Sequence, residues 1–318
     1  MGGEDMAQKA MVRPRKSSLK KRLWRDRYLY LLLLPVMAYY IVFHYAPFYG
    51  IQIAFRDFKL NQGIWGSEWV GLYYFRRLFS SALFYRVFRN TLLLNIYNLF
   101  FGFPAPIILA LMLNEMRSQW YKRLTQSIMY IPHFFSWVVL GGIVAGLLSP
   151  STGFVNTVYK AVSGADKGIY FLASERWWRS VFVIVNIWKE VGWGTIIYLA
   201  AISGVDVELY EAAIIDGANK RQQVWHITLP GIRPTIVILL ILRMGGMMNV
   251  GMEPVLVLSN SVVNNVADVF STYIYRQGVM KTQYSLTTAM GIFQSVVSSV
   301  LLLGTNVFSR RMTGESIW

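Results

Sequence analysis

The chain has 318 residues, 55% of them hydrophobic and 15% charged, with a formal net charge of +15, no cysteine and three histidines. A soluble domain carries roughly 25% charged residues, so an ordinary soluble enzyme is a poor reading. The missing cysteines exclude disulfides, thiolate metal sites and cysteine nucleophiles, and His44, His133 and His226 share no metal-ligand spacing.

Residues 1–27 are polar and hold nine Lys and Arg. They read as a basic cytoplasmic segment beside anionic headgroups. The apolar run that follows contains Pro35 and has no small-residue cleavage site, so it reads as a retained anchor. A membrane span needs roughly 20 apolar residues. Six segments qualify: Tyr28–Phe48, Thr91–Leu113, Ser127–Leu148, Val181–Ile202, Thr235–Leu258 and Leu286–Phe308. The chain is therefore expected to be all-α, a six-span transmembrane domain over 28–308 with a short tail at 309–318. Pro104, Pro106 and Pro132 inside spans suggest kinked, packed helices.

With the N-terminus inside, the inner segments hold 17 basic residues and the outer ones 12. The bias is modest, but the dense N-terminal cluster decides for cytoplasmic termini. The positive charge is assigned to the membrane surface and not to nucleic acid. Trp24, Trp120, Trp177 and Trp178 fall at predicted interfaces.

The loop from Ser203 to Pro234 differs from the others. It reads as two short helices around a glycine. Asp206 is an N-cap, Glu208 and Glu211 lie in the first turns, and Gly217 suits a left-handed helix end. A second helix runs to about Leu229, where Pro230 and Pro234 are expected to stop it. Leu209, Ala212, Ala213, Val224 and Trp225 form a face needing a partner. From periodicity alone, an amphipathic linker lying on the membrane fits equally well.

The residues Tyr210, Glu211-Ala212-Ala213, Asp216-Gly217-Ala218 and Leu229-Pro230 change that balance. They resemble the cytoplasmic coupling loop of ABC-importer permeases. Phe43-His-Tyr-x-Pro47, Gly192-Trp-Gly-Thr195, Met248-Asn-Val-Gly251 and Thr272-Tyr-x-Tyr-Arg276 resemble the LplB-like polysaccharide and oligosaccharide branch of the maltose-type permeases. The resemblance implies a type I importer fold in the cytoplasmic membrane of a prokaryote. It implies a second homologous permease forming a heterodimer, an ABC ATPase dimer, and an extracytoplasmic solute-binding protein. The first loop helix would dock into the ATPase, with Glu211 supplying charge, Ala212 and Ala213 allowing close approach, and Gly217 setting the interhelix angle. No G-x-x-x-x-G-K-[ST] sequence is present. The chain is therefore expected to be no enzyme and to bind no cofactor, with ATP and Mg held by the partner ATPase.

Ionisable residues at bilayer depth are candidate functional groups. Asn186, Glu190 and Trp193 share one helix face. Together with Arg243 and Asn249 they read as a substrate path for an oligosaccharide, with an aromatic ring for stacking and polar groups for hydroxyls. The competing reading is a helix-locking pair of Lys189 or Arg243 with Glu190 or Glu253. The Arg243 guanidinium also matches a carboxylate, which admits uronate-containing cargo. His133 reads as structural, and the Met244, Met247, Met248 and Met252 cluster as core. A non-sugar importer permease, or a membrane-embedded enzyme using Glu190 and Glu253, are the rival functions.

Overall fold

The computed structural model describes residues 24–317, so most of the basic segment 1–27 lies outside the described residues. The chain divides into two units, Met1–Gln52 and Ile53–Trp318. In the first, helix α1 (Arg27–Tyr40) passes through Pro35 and continues as a π-turn, Ile41–Tyr45, and a 3-10 stretch, Ala46–Phe55, whose last three residues belong to the second. No residue of α1 is buried. An apolar helix exposed on all sides satisfies its own backbone but not its side chains in water, which is the condition of a membrane span.

The second unit opens with a small antiparallel pair, β1 (Arg56–Asp57) and β2 (Glu68–Trp69), in register Arg56 to Trp69. Helix α2 (Tyr73–Phe79) follows, then α3 (Ala82–Tyr97), a π-turn at Asn98–Gly102 and α4 (Pro104–Asn114). Helices α5 (Gln119–Phe134) and α6 (Trp137–Leu147) meet at 107°. Beyond α7 (Phe154–Ser163) runs the long α8 (Glu175–Ser203). The cytoplasmic loop holds α9 (Val207–Ile215) and α10 (Lys220–Gln223), which passes through a π-turn, Val224–Thr228, into α11 (Leu229–Gly245). Short helices α12 (Met252–Leu258), α13 (Asn264–Ala267) and α14 (Phe270–Ile274) precede α15 (Tyr284–Thr313). Among the described residues, five continuous helical runs are long and apolar enough to cross a membrane, six when the bent α5–α6 pair counts as one.

The third span is bent, as Pro132 within it suggests. Two expectations change. The fifth span is not Thr235–Leu258: its helix runs from Lys220 to Gly245, breaks over residues 246–251, and resumes as α12. The freed carbonyls in the break are held by Gln294 Nε2 on Met248 O (2.8 Å) and Ser271 Oγ on Val250 O (2.6 Å). Pro230 and Pro234 do not stop the loop's second helix, which flows into the span.

The reason lies just upstream of the prolines. A proline lacks an N–H and clashes with the carbonyl four residues earlier. A π-turn bonds five residues apart and shifts that carbonyl out of line. Such a turn precedes Pro47, Pro104 and Pro230 alike.

Helix α8 is the central post, packed against α4, α5 and α11. Its close approach to α5 requires Gly192, where an added Cβ would stand 2.0 Å from Met129 O. Trp178 is not at an interface: it is fully buried on Phe182 and donates Nε1–H to Leu258 O at 2.8 Å. Met247 and Met248 are buried, as a core reading requires, whereas Met252 is exposed.

Candidate functional site

Two regions carry the residues singled out in the sequence. The first is a cavity of about 430 Å³ along α8, closed by the α3–α4 turn on one side and α11 on the other. Asn186, Glu190, Trp193 and Arg243 all line it, joined by Asn98 and Tyr198. Asn186 to Trp193 share a face because the helix turns 3.6 residues at a time. Arg243 reaches the same depth because α11 ends there, two residues before its break. A cation in a last turn suits the negative end of the helix dipole. Asn249 lies in the break and does not line the cavity, where a single unbroken fifth helix would have carried it further along the same path.

The helix-locking pairs do not form. Lys189 is buried and faces away from the cavity, with Nζ donating to His133 O and Phe135 O, both at 2.7 Å, and more distantly to Pro132 O. It thereby satisfies the carbonyls that α5 leaves open at its bend. Glu253 is exposed on α12, and among the described residues neither it nor Arg243 has an ion-pair partner.

Glu190 does have a partner. His133 Nδ1 stands 3.0 Å from its Oε2, and the imidazole stacks on Trp193 with centroids 4.6 Å apart and planes 3° from parallel. A carboxylate accepts only, so Nδ1 carries the hydrogen. This contact was not legible from spacing, since His133 and Glu190 are 57 residues apart in the chain. The cavity thus offers one unmatched cation, one paired acid, two amides, a phenol and an indole: a set able to grip hydroxyls, a sugar face and an anionic group.

The second region is the cytoplasmic loop. Asp206 caps α9 by accepting from Glu208 N at 3.0 Å. Gly217 has φ +77°, and the bonds Ala218 N to Ala213 O and Gly217 N to Ile214 O close the helix end around it. Asn219 and Gln222 then form a reciprocal capping box for α10. Tyr210 Oη lies 2.9 Å from Thr228 Oγ1, Lys220 Nζ 3.7 Å from Glu115, and buried Gln223 donates to Ala218 O. These ties fix α9 to the base of α11 and α10 to the α4–α5 turn. Glu211 and Ala212 are exposed, and Leu209, Ile214, Ile215 and Trp225 present apolar surface. The exposed apolar set differs from the expected one: Ile214 and Ile215 join it, while Ala213 and Val224 are half-buried.

A family model described as the binding-protein-dependent transport system inner membrane component matches residues 102–314. Protein LplB of Bacillus subtilis (strain 168) is 46% identical over 93% of this chain and 92% of its own. The polygalacturonan/rhamnogalacturonan transport system permease protein YteP of the same organism is 43% identical over 96% and 94%. A crystal structure of a bacterial ABC transporter involved in import of the acidic polysaccharide alginate superposes with a TM-score of 0.86, at 43% identity over 93% of this chain and all of that one. A second, of a bacterial alginate ABC transporter with an alginate pentasaccharide-bound periplasmic protein, matches at 42% identity and the same TM-score, over 95% and 100%.

Proposed function

Because the chain belongs to the family of binding-protein-dependent transport system inner membrane components, we propose that it is the permease of an ABC importer carrying uronate-containing oligosaccharides across the bacterial cytoplasmic membrane. The resemblance to LplB-like permeases is borne out. A transport subunit is the coarse reading, and the rest is chemistry. One relative is described as a polygalacturonan/rhamnogalacturonan transport permease, and a solved structure as a transporter involved in import of the acidic polysaccharide alginate. The observation that carries the reading here is Arg243: a guanidinium without an ion-pair partner among the described residues, in a cavity shared with Trp193 and three side-chain amide and carboxylate groups. A guanidinium takes a carboxylate in two parallel bonds, and an indole face stacks on the apolar face of a pyranose.

ATP and Mg bind a separate ATPase dimer. The exposed α9, with Glu211, Ala212, Ala213, Asp216 and Gly217, docks there. Its tie from Tyr210 to Thr228, beside Leu229 and Pro230 at the base of α11, carries the ATPase motion into the helix that bears Arg243. A second permease completes the path, and a solute-binding protein delivers cargo at the outer loops. Both termini are cytoplasmic. Arg243→Gln tests the cargo reading. In vesicles carrying the complete transporter it lowers uptake of an oligogalacturonate about tenfold or more and spares a neutral oligosaccharide of equal length. Equal uptake of the acidic cargo by variant and parent overturns it.

A further inference from the structure

A carboxylate is the wrong group to find in a path for acidic sugars. Glu190 is half-exposed, lines the same cavity as Arg243, and would repel a uronate while competing for the guanidinium. The structure shows what offsets it. His133 reaches across from α5, donates Nδ1–H to Glu190 Oε2, and lays its ring flat on Trp193. The histidine is held in turn by its own backbone. Lys189, next to Glu190 on α8, binds the carbonyls of His133 and Phe135 at the α5–α6 bend. Two residues of α8, Glu190 and Trp193, therefore hold the imidazole, and a third, Lys189, holds the backbone that carries it. Lys189 is turned to those carbonyls, so Glu190 and Arg243 are the charged groups left at the cavity wall.

We infer that His133 determines the charge selectivity of the translocation path: by engaging Glu190 it masks the one acid in the cavity and leaves Arg243 free to receive an anionic cargo. The same contact covers one face of Trp193, which leaves the other for the sugar. His133 is thus a positioning and specificity-determining residue. Neutral cargo feels only the stacking, whereas acidic cargo feels both stacking and charge. This inference rests on the uronate reading above.

Asparagine and leucine at position 133 nearly share a shape, yet only asparagine keeps an N–H directed at Glu190. Both lose the stack. The complete transporter is reconstituted in vesicles, and uptake of an oligogalacturonate tetramer is divided by uptake of a neutral tetrasaccharide. His133→Leu lowers that ratio about tenfold, and His133→Asn keeps it near the parent value, while both lower uptake of the two cargoes together. Adding Glu190→Gln to His133→Leu recovers the ratio, because the unmasked acid is gone. Identical ratios for the Asn and Leu variants overturn the inference, as does a double variant no better than His133→Leu. If the parent transporter imports no oligogalacturonate, it is the cargo assignment that fails, a result distinct from either.

Discussion

Outside the spans, the Tyr74 hydroxyl donates to the Asp57 carboxylate at 2.5 Å, joining α2 to β1. Burial first, and then the hydrogen bond and charge of Asp57, push the Tyr74 phenol up from 10.0 to about 12. A raised pKa means that the folded state favours the protonated phenol. The contribution is complete below about pH 10 and is lost as pH rises through about 12. Tyr74→Phe therefore destabilises the chain by about 1 kcal/mol at neutral pH. The gap between variant and parent closes as pH climbs across that window, and chemical unfolding at pH 8 and pH 11.5 reads it directly. A gap independent of pH contradicts the assignment. At this scale the sequence was informative where chemistry recurs along one helix. Asn186, Glu190 and Trp193 could be placed on one face by counting alone, and they line one cavity. His133 could not, because its value depends on how closely α5 meets α8, and that distance is set by Gly192. Lys189 and Glu190 are neighbours in the chain with opposite surroundings, one capping carbonyls and the other facing the cavity; their separation of about 100° hints at this without choosing which faces where.

Elements show a second division. Long apolar runs located every spanning helix, since hydrocarbon thickness fixes their length, but the second, third and fifth begin at Ala82, Gln119 and Lys220, well before the expected starts. Their interruptions were harder to read. Proline predicts a break, but Pro47, Pro104 and Pro230 sit after π-turns that keep the helix running. Pro132 has no such turn, and α5 ends two residues later. There the open carbonyls fall to Lys189, a distant residue, so the outcome is tertiary. Ser136 completes the bend by capping α6 through Val139 N. Lys189→Met keeps the length of the side chain and removes the charge. It leaves two well-formed carbonyl bonds unmade and costs about 3 kcal/mol. The purified chain then melts earlier, and amide exchange at residues 137–140 speeds up more than elsewhere on α6. Unchanged exchange there contradicts the capping role. The fifth span failed for a related reason. Met252–Leu258 is apolar enough to extend a helix, yet Gly245 against Leu302 and the Gln294 bond to Met248 O favour a break. That break places Arg243 at a helix end within the bilayer, a position that discontinuous transporter helices use for charged groups.

At the scale of the whole molecule, the cavity and the cytoplasmic loop are joined through α11. α9 is tied by Tyr210 to the π-turn at the base of α11, and α11 bears Arg243 at its far end. The proposed docking at α9 therefore predicts that a push there reaches the cavity as movement of α11 against α8. The loop was the most legible part of the chain because its geometry is local: an N-cap, a helix end closing on Gly217 and a capping box are each written within a few residues. The partner faces were less so, since a face is defined by which side chains remain uncovered after folding. Ile215, 87% exposed, lay outside the expected set. The central claim is that hydrolysis on a separate ATPase, acting through α9, drives import. It is tested by oligogalacturonate uptake into vesicles that hold the complete transporter, with ATP or a non-hydrolysable analogue inside. Uptake by the parent is expected with ATP alone, and Ala212→Trp on the exposed face of α9 lowers it about tenfold or more while the cavity is untouched. Equal uptake with the analogue, or full uptake by Ala212→Trp, contradicts the account.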